Sequence, residues 1–319
     1  MERRRLGQTG VSLSVLGFGA SPLGNIFCPV DTAEGIRAVH FAIDQGIDFF
    51  DVSPYYGNTL AEERLGTALI GKRTHIFLAT KCGRYGSDHF DFSAERVKAS
   101  VDESLTRLKT DYVDLLQAHD VEFGDVRQIV EETIPALREV QKAGKARFIG
   151  VTGYQLRMLA TLAETTAVDT MLSYCRHSLL VSDIDALLTP ALRDKGCGLI
   201  LASPMHMGLL SGGSVPSWHP ASPALRELAH RIVELCVENG ADPASVALRY
   251  CLDHPYATST LVGMSNIEEV QQNLKALDCT IAPELQAKIK VLAATAQEPI
   301  WTSGRPENAD EMSAHIHIG

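Results

Sequence analysis

The chain has 319 residues, 45% apolar and 21% charged, which supplies a large core and is too apolar for a chain dominated by disorder. A formal charge of −10, with no basic cluster beyond the short run Arg3, Arg4, Arg5, excludes a nucleic-acid binder, which needs a cationic face against phosphates. No run of about 18 apolar residues occurs and no apolar stretch follows the arginines, so neither a membrane span nor a secretory signal is expected. The seven scattered cysteines form no CxxC pair and read as reduced thiols of a cytoplasmic chain. The eleven histidines are dispersed, with His315 and His317 in the tail, and no metal site is expected.

Residues 3–6 and 12–14 flank a turn-rich tetrad from Gly7 to Gly10 and predict a hairpin. A short strand follows at 15–19. Asp31, Thr32 and Glu34 then mark a helix start, with Ile36, Val39 and Ile43 at helical spacing. Further strands are predicted ending at Phe50, at 76–79, 112–116, 148–151, 170–172, 198–201 and 260–262. The helices between them include 61–69, 93–108, 126–143, 223–238 and 266–277. Strands apolar on both faces suit a parallel sheet covered by helices. Eight such units predict an α/β fold, a (β/α)8 TIM barrel with an N-terminal β-hairpin. The expected organisation is one barrel over 1–319, with the hairpin at 3–14, the barrel at about 15–280, and a C-terminal helix and tail at 281–319. An open doubly wound sheet is the rival. Its GxGxxG signature is absent, because Pro22 stands where the third glycine after Gly17 and Gly19 belongs. The Gly-, Ser- and Pro-rich stretch 211–222 reads as a lid, and the tail beyond Ala294 as a wrap or a frayed end.

Active sites of such barrels gather at the C-terminal ends of the strands. Asp51 closes the second predicted strand with Tyr56 five residues on, Lys81 closes the third and His119 the fourth. Each residue alone has a bland reading as cap, core or surface. Together they bring a carboxylate, a phenol, an ammonium and an imidazole to one mouth. A lysine cation beside a phenol favours the phenolate, and a carboxylate holds that lysine charged and in place. The histidine can orient a substrate oxygen while the tyrosine exchanges its proton.

The run DVSPYYG at 51–57, ATK at 79–81 and YVDLLQAH at 112–119, with Gly17 and Gly19, resemble the segments that supply Asp, Tyr, Lys and His in the aldo-keto reductase superfamily. Within it, KCGRY at 81–85, DFSAER at 91–96, HDVEFG at 119–124, WHPAS at 218–222 and LVGMS at 261–265 resemble the L-galactose 1-dehydrogenase family of plant ascorbate synthesis. That resemblance implies oxidation of an aldose at C1 to a lactone with NAD. L-Fucose and other aldose 1-dehydrogenases stay open as sister activities. An NADPH-dependent aldehyde reductase and a cofactor-sensing binding subunit are the further alternatives.

The resemblance also implies cofactor contacts at Gly19, Ala20, Ser21, Asp51, Thr152, Ser173, Ser203, Met205, Gly208, Leu209, Gly263, Met264, Ser265, Glu269 and Asn273. Gly153, Ser173 and Ala202 depart from the family pattern. Glu269 stands where NADP users place an arginine; a carboxylate repels a 2′-phosphate and bonds a ribose hydroxyl, which favours NAD. Tyr56, His119, Arg84, Trp218 and Trp301, with His219, are the candidate sugar contacts. The expected partner is a small sugar, with no nucleic acid and no membrane, on a monomer or weak homodimer.

Overall fold

Leu6 and Leu13 are buried and sit on opposite limbs of the N-terminal hairpin, β1 (Arg3–Arg5) and β2 (Ser12–Ser14), which pair antiparallel with Arg4 opposite Leu13. Both leucines pack with Phe49, Phe77, Leu115, Leu172, Ile200 and Leu261, so the hairpin plugs one end of the structure that follows. In the computed structural model, which describes residues 1–213, 215–297 and 300–310, eight parallel strands close a barrel. They are β3 (Leu16–Gly19), β4 (Phe49–Asp51), β5 (Phe77–Cys82), β6 (Val113–Ala118), β7 (Ala146–Gly153), β8 (Thr170–Tyr174), β9 (Gly198–Ala202) and β10 (Ala257–Gly263). The ring is shut by β10 pairing with β3, Gly263 beside Gly19. The (β/α)8 barrel with its N-terminal β-hairpin is thus present as expected.

Capping chemistry explains where several covering helices begin. Asp31, Ser93, Ser222 and Asn266 each accept a backbone N–H three residues on, at the starts of Thr32–Asp44, Ala94–Leu108, Pro223–Glu238 and Ile267–Lys275. The helix expected at 126–143 is interrupted by a π-turn, Ile129–Thr133, before Ile134–Lys142. Pro135 has no N–H to give to the preceding turn, and the chain absorbs that loss by widening there. Most strands run further than their apolar pattern suggests. β5 includes Lys81 and β6 includes Gln117, polar residues that both reach Asp51 on β4.

The described part of the tail wraps rather than frays. Asp310 accepts from the backbone N–H groups of Leu156 and Arg157, capping the helix Leu156–Thr165, which has no side-chain cap of its own. Asn308 donates to the carbonyls of Glu122 and Gly124, and Arg305 N donates to that of Glu122. His315 and His317 lie outside the described residues. Among the described residues, no helix is long and apolar enough to cross a membrane.

Candidate active site

Register across β4, β5 and β6 brings the four predicted residues together. Asp51 pairs with Ala79, and Lys81 with Gln117, so Asp51, Lys81 and Gln117 meet inside the barrel near its C-terminal rim. The Lys81 ammonium donates to Asp51 Oδ1, to the Val52 carbonyl at 2.9 Å and to Tyr56 Oη at 3.4 Å. Gln117 Nε2 donates to the other Asp51 oxygen at 2.9 Å. Both charges are almost fully buried. Burial by itself would lower the lysine's pKa, but the Asp51 carboxylate holds the ammonium charged and the net shift is upward.

Tyr56 is placed by two loops pressed against each other. Gly57 has φ +65°, and a Cβ added to it would fall 2.1 Å from the Gly24 carbonyl oxygen. The loop after β4 therefore reaches the turn Ser21–Gly24 only with a glycine at this position. Gly57→Ala is expected to destabilise the protein by more than about 1 kcal/mol and to lower turnover by shifting Tyr56, read as a lower denaturant midpoint together with a lower kcat. An unchanged midpoint and unchanged turnover would show that this contact does not seat the tyrosine.

The phenol differs from the expectation in one respect. Burial drives Tyr56 upward to about 12, and Lys81 pulls it down only in part, with Asp51 and Asp120 working against that pull. The group thus stands as a neutral proton donor beside an ammonium.

His119 packs edge-on to Tyr56, ring centroids 5.7 Å apart. Its Nδ1 faces Ser53 Oγ at 3.0 Å, and that hydroxyl already accepts the N–H of Tyr55. Donation of the Ser53 proton to Nδ1 puts the imidazole's own proton on Nε2, which lies 3.6 Å from Asp120 Oδ2. Burial, with Lys81 and Arg84 nearby, holds His119 down at about 3 against the pull of Asp120. The histidine is a neutral donor at any ordinary pH. Tyr56 Oη and His119 Nε2 are two donors suited to one substrate oxygen.

Several contributors escaped the sequence reading. Ser53 fixes the histidine tautomer, and Gln117 completes the shell of Asp51. Asp120, buried and left-handed at φ 53°, follows His119 and binds the Arg84 guanidinium. Glu122 is wholly buried; burial reinforced by Asp120 raises its carboxyl to about 8. It accepts from Tyr154 N and Ser303 Oγ, so it holds the returning tail. All four lie within or beside the runs that carry the tetrad of Asp51, Tyr56, Lys81 and His119, but their partners are distant in sequence.

Several predicted cofactor positions sit at the C-terminal ends of β3, β7, β8 and β10 or in the turns that follow the strands. Gly19 and Gly263 are neighbours across β3 and β10, and Ala20 N donates to the Asp51 carbonyl. Thr152 Oγ1 accepts the N–H of Asp120, and Ser173 Oγ is buried without a partner among the described residues. After β9, the turn carrying Met205 and Leu209 contains left-handed Ser203, His206, Met207 and Gly208. Met264 N donates to the Gly19 carbonyl, and Asn273 is buried. Glu269 Oε2 accepts from both N and Oγ of Ser265.

The proposed sugar contacts separate into two groups. Arg84 lies at the mouth, over the Tyr55 ring at 3.9 Å and bound to Asp120, so its position is fixed from two sides. His219 is locked in the loop after β9: its Nδ1 accepts from Ala221 N and its Nε2 contacts the His206 carbonyl. Trp301 stacks on Tyr154 at 4.8 Å and meets His206 and His219 edge-on, a packing role for the tail. Trp218, half exposed, rests on Phe27 from the loop after β3.

A (β/α)8 barrel with a buried Asp–Lys pair, a phenol and a neutral histidine donor at one rim defines a class of oxidoreductase working on carbonyl and alcohol oxygens. The Aldo/keto reductase family model matches residues 15–294, and the chain belongs to that family. It is 44% identical to L-galactose dehydrogenase of Arabidopsis thaliana over 318 residues, covering 97% of this chain and 99% of that protein. It is 33% identical to D-arabinose 1-dehydrogenase of Saccharomyces cerevisiae, covering 73% of each. Among solved structures, the holo form of an aldo-keto reductase from Bacillus halodurans superposes with TM-score 0.77 at 27% identity, covering 94% of this chain and 99% of that one.

Proposed function

We propose that this protein is an NAD-dependent aldose 1-dehydrogenase, oxidising L-galactose or a close relative at C1 to the lactone. The observation that carries this reading is the convergence of Tyr56 Oη and His119 Nε2 on one rim, backed by the buried Lys81–Asp51 pair. The likeness to a plant sugar dehydrogenase over nearly the whole chain supports the substrate class.

The rim fits a nicotinamide dinucleotide. Ser173 offers a buried hydroxyl with no partner among the described residues, and the left-handed turn after β9 presents backbone of the kind that cradles anionic groups. Gly19, Ala20, Ser21, Thr152, Ser173, Ser203, Met205, Gly208, Leu209, Gly263, Met264, Ser265, Glu269 and Asn273 would hold it. When bound, the nicotinamide supplies the hydride acceptor. The chain does the rest: Tyr56 in its phenolate form takes the proton of the anomeric hydroxyl and becomes the neutral phenol, His119 Nε2 donates to that oxygen, and Lys81, held by Asp51, stabilises the phenolate before the transfer.

The test is initial rates of NADH formation with L-galactose, L-fucose, D-arabinose and D-galactose, each with NAD and with NADP. Strong NAD-dependent oxidation of L-galactose is expected. Preference for another aldose would move the protein to a sister activity, and no sugar turnover would refute the reading.

Cofactor choice rests on Glu269. Glu269→Arg is expected to shift the ratio of kcat/KM for NADP over NAD by about tenfold or more, because the substitution exchanges repulsion of the 2′-phosphate for attraction. Glu269→Gln, which keeps an acceptor for Ser265 N, should shift it less. An unmoved ratio in the arginine variant would remove the argument for NAD.

A further inference from the structure

Asp120 is a buried carboxylate that the tetrad does not use. It sits between two cationic or donor groups of the mouth: the Arg84 guanidinium is bound to its Oδ2, and His119 Nε2 lies 3.6 Å from the same oxygen. Both contacts fall on Oδ2, leaving Oδ1 without a hydrogen bond among the described residues. The surroundings hold the group in place. Asp120 N donates to Thr152 Oγ1, the guanidinium is stacked on Tyr55, and Phe90 and Phe123 lie within 5.4 Å of that guanidinium. The residue has φ 53°, a conformation that a non-glycine residue adopts at a cost and that the neighbouring contacts sustain.

A substrate oxygen shared by Tyr56 Oη and His119 Nε2 therefore has a carboxylate as its next neighbour. A carboxylate accepts hydrogen bonds and repels lone pairs. It cannot favour a carbonyl or ring oxygen at that point, and it suits an O–H donor one hydroxyl spacing from the reacting oxygen. In an aldose that donor is the hydroxyl on C2. We propose that Asp120 accepts a hydrogen bond from the hydroxyl on the carbon adjacent to the reacting one, and so restricts the substrate class to vicinal hydroxy compounds. Arg84 then positions Asp120 and does not contact the sugar through all its donors.

This inference rests on the aldose dehydrogenase reading, and the experiment separates the two. The wild-type protein is assayed with L-galactose and with 2-deoxy-L-galactose. A hydrogen bond to a charged group contributes enough for kcat/KM to favour the parent sugar by about 10- to 100-fold. In Asp120→Asn and Asp120→Ala that preference should collapse to within about threefold, since the variant loses what the C2 hydroxyl supplied. A residue with a merely structural role, or one acting only through His119, would lower both rates together and leave the ratio unmoved, which overturns the proposal. A wild-type protein that oxidises both sugars equally overturns it without any variant. If neither sugar is oxidised, the dehydrogenase reading and the assignment of Asp120 fall together.

Discussion

Tyr56→Phe should lower kcat for sugar oxidation by about 10²- to 10⁴-fold, the range supplied by a positioned proton-transfer group. Cofactor affinity, measured by fluorescence titration, should stay within about threefold, because the ring and its packing against His119 survive. The pH profile carries a second, independent signature. The phenol is pushed up to about 12, so in neutral solution it is almost wholly protonated. Oxidation consumes the phenolate, whose fraction, at any pH below that value, rises tenfold with each unit of increasing pH. The rate of oxidation at low substrate should therefore climb with pH from neutral into the mildly alkaline range, while carbonyl reduction, which needs the protonated phenol, should not climb. A bound cationic nicotinamide would draw the phenol down from that value and move the plateau to lower pH without changing the sign. His119 adds no limb to this profile, since burial keeps it neutral down to about 3. The mechanism is falsified if the phenylalanine variant retains the wild-type rate or the same alkaline climb.

The four tetrad residues were legible because each sits at or just beyond the end of an apolar strand, where a barrel puts its chemistry. Their partners were not. Ser53 meets His119, and Gln117 meets Asp51, across 66 positions of sequence in each case. Those contacts exist because the closed ring fixes the register of β4, β5 and β6. Asp120 was in plain sight beside His119, but nothing in its type distinguishes a site carboxylate from a loop carboxylate. The left-handed turn and the shared Arg84 do so in the structure. Trp301 and His219 were suggested by residue type and by loops expected at the mouth. Their stacking and hydrogen bonds join the tail to the loop after β9. The expectation that lysine lowers the tyrosine had the right sign for that pair. It missed the larger cost of burying a phenolate, which depends on how deep the fold places it.

The buried pair at the centre of the site allows the sharpest test of stability. Lys81→Met removes the ammonium and leaves Asp51 buried, with Gln117 as its remaining side-chain partner. Removing one member of such a pair costs about 3–5 kcal/mol, because an uncompensated charge stays in a low-dielectric interior. Denaturant unfolding followed by the fluorescence of Trp218 and Trp301 should show a loss of this size near neutral pH. The sign of its pH dependence follows from Asp51. Burial raises the Asp51 carboxyl above its ordinary 3.8, and without Lys81 only the Gln117 hydrogen bond opposes that rise. An acid whose folded pKa is raised favours the folded state at low pH, and that contribution is lost as pH rises toward the folded value. The variant should thus regain stability on acidification from neutral toward pH about 5, whereas the wild type, with its ammonium in place, should change much less over that interval. Asp51→Asn combined with Lys81→Met replaces both charges by neutral groups and should recover part of the loss, since no unpaired charge remains. A single lysine variant as stable as the wild type would mean that water reaches Asp51. The same result would remove the reason for the lysine's charge to act strongly on Tyr56, so the stability measurement bears directly on the chemistry.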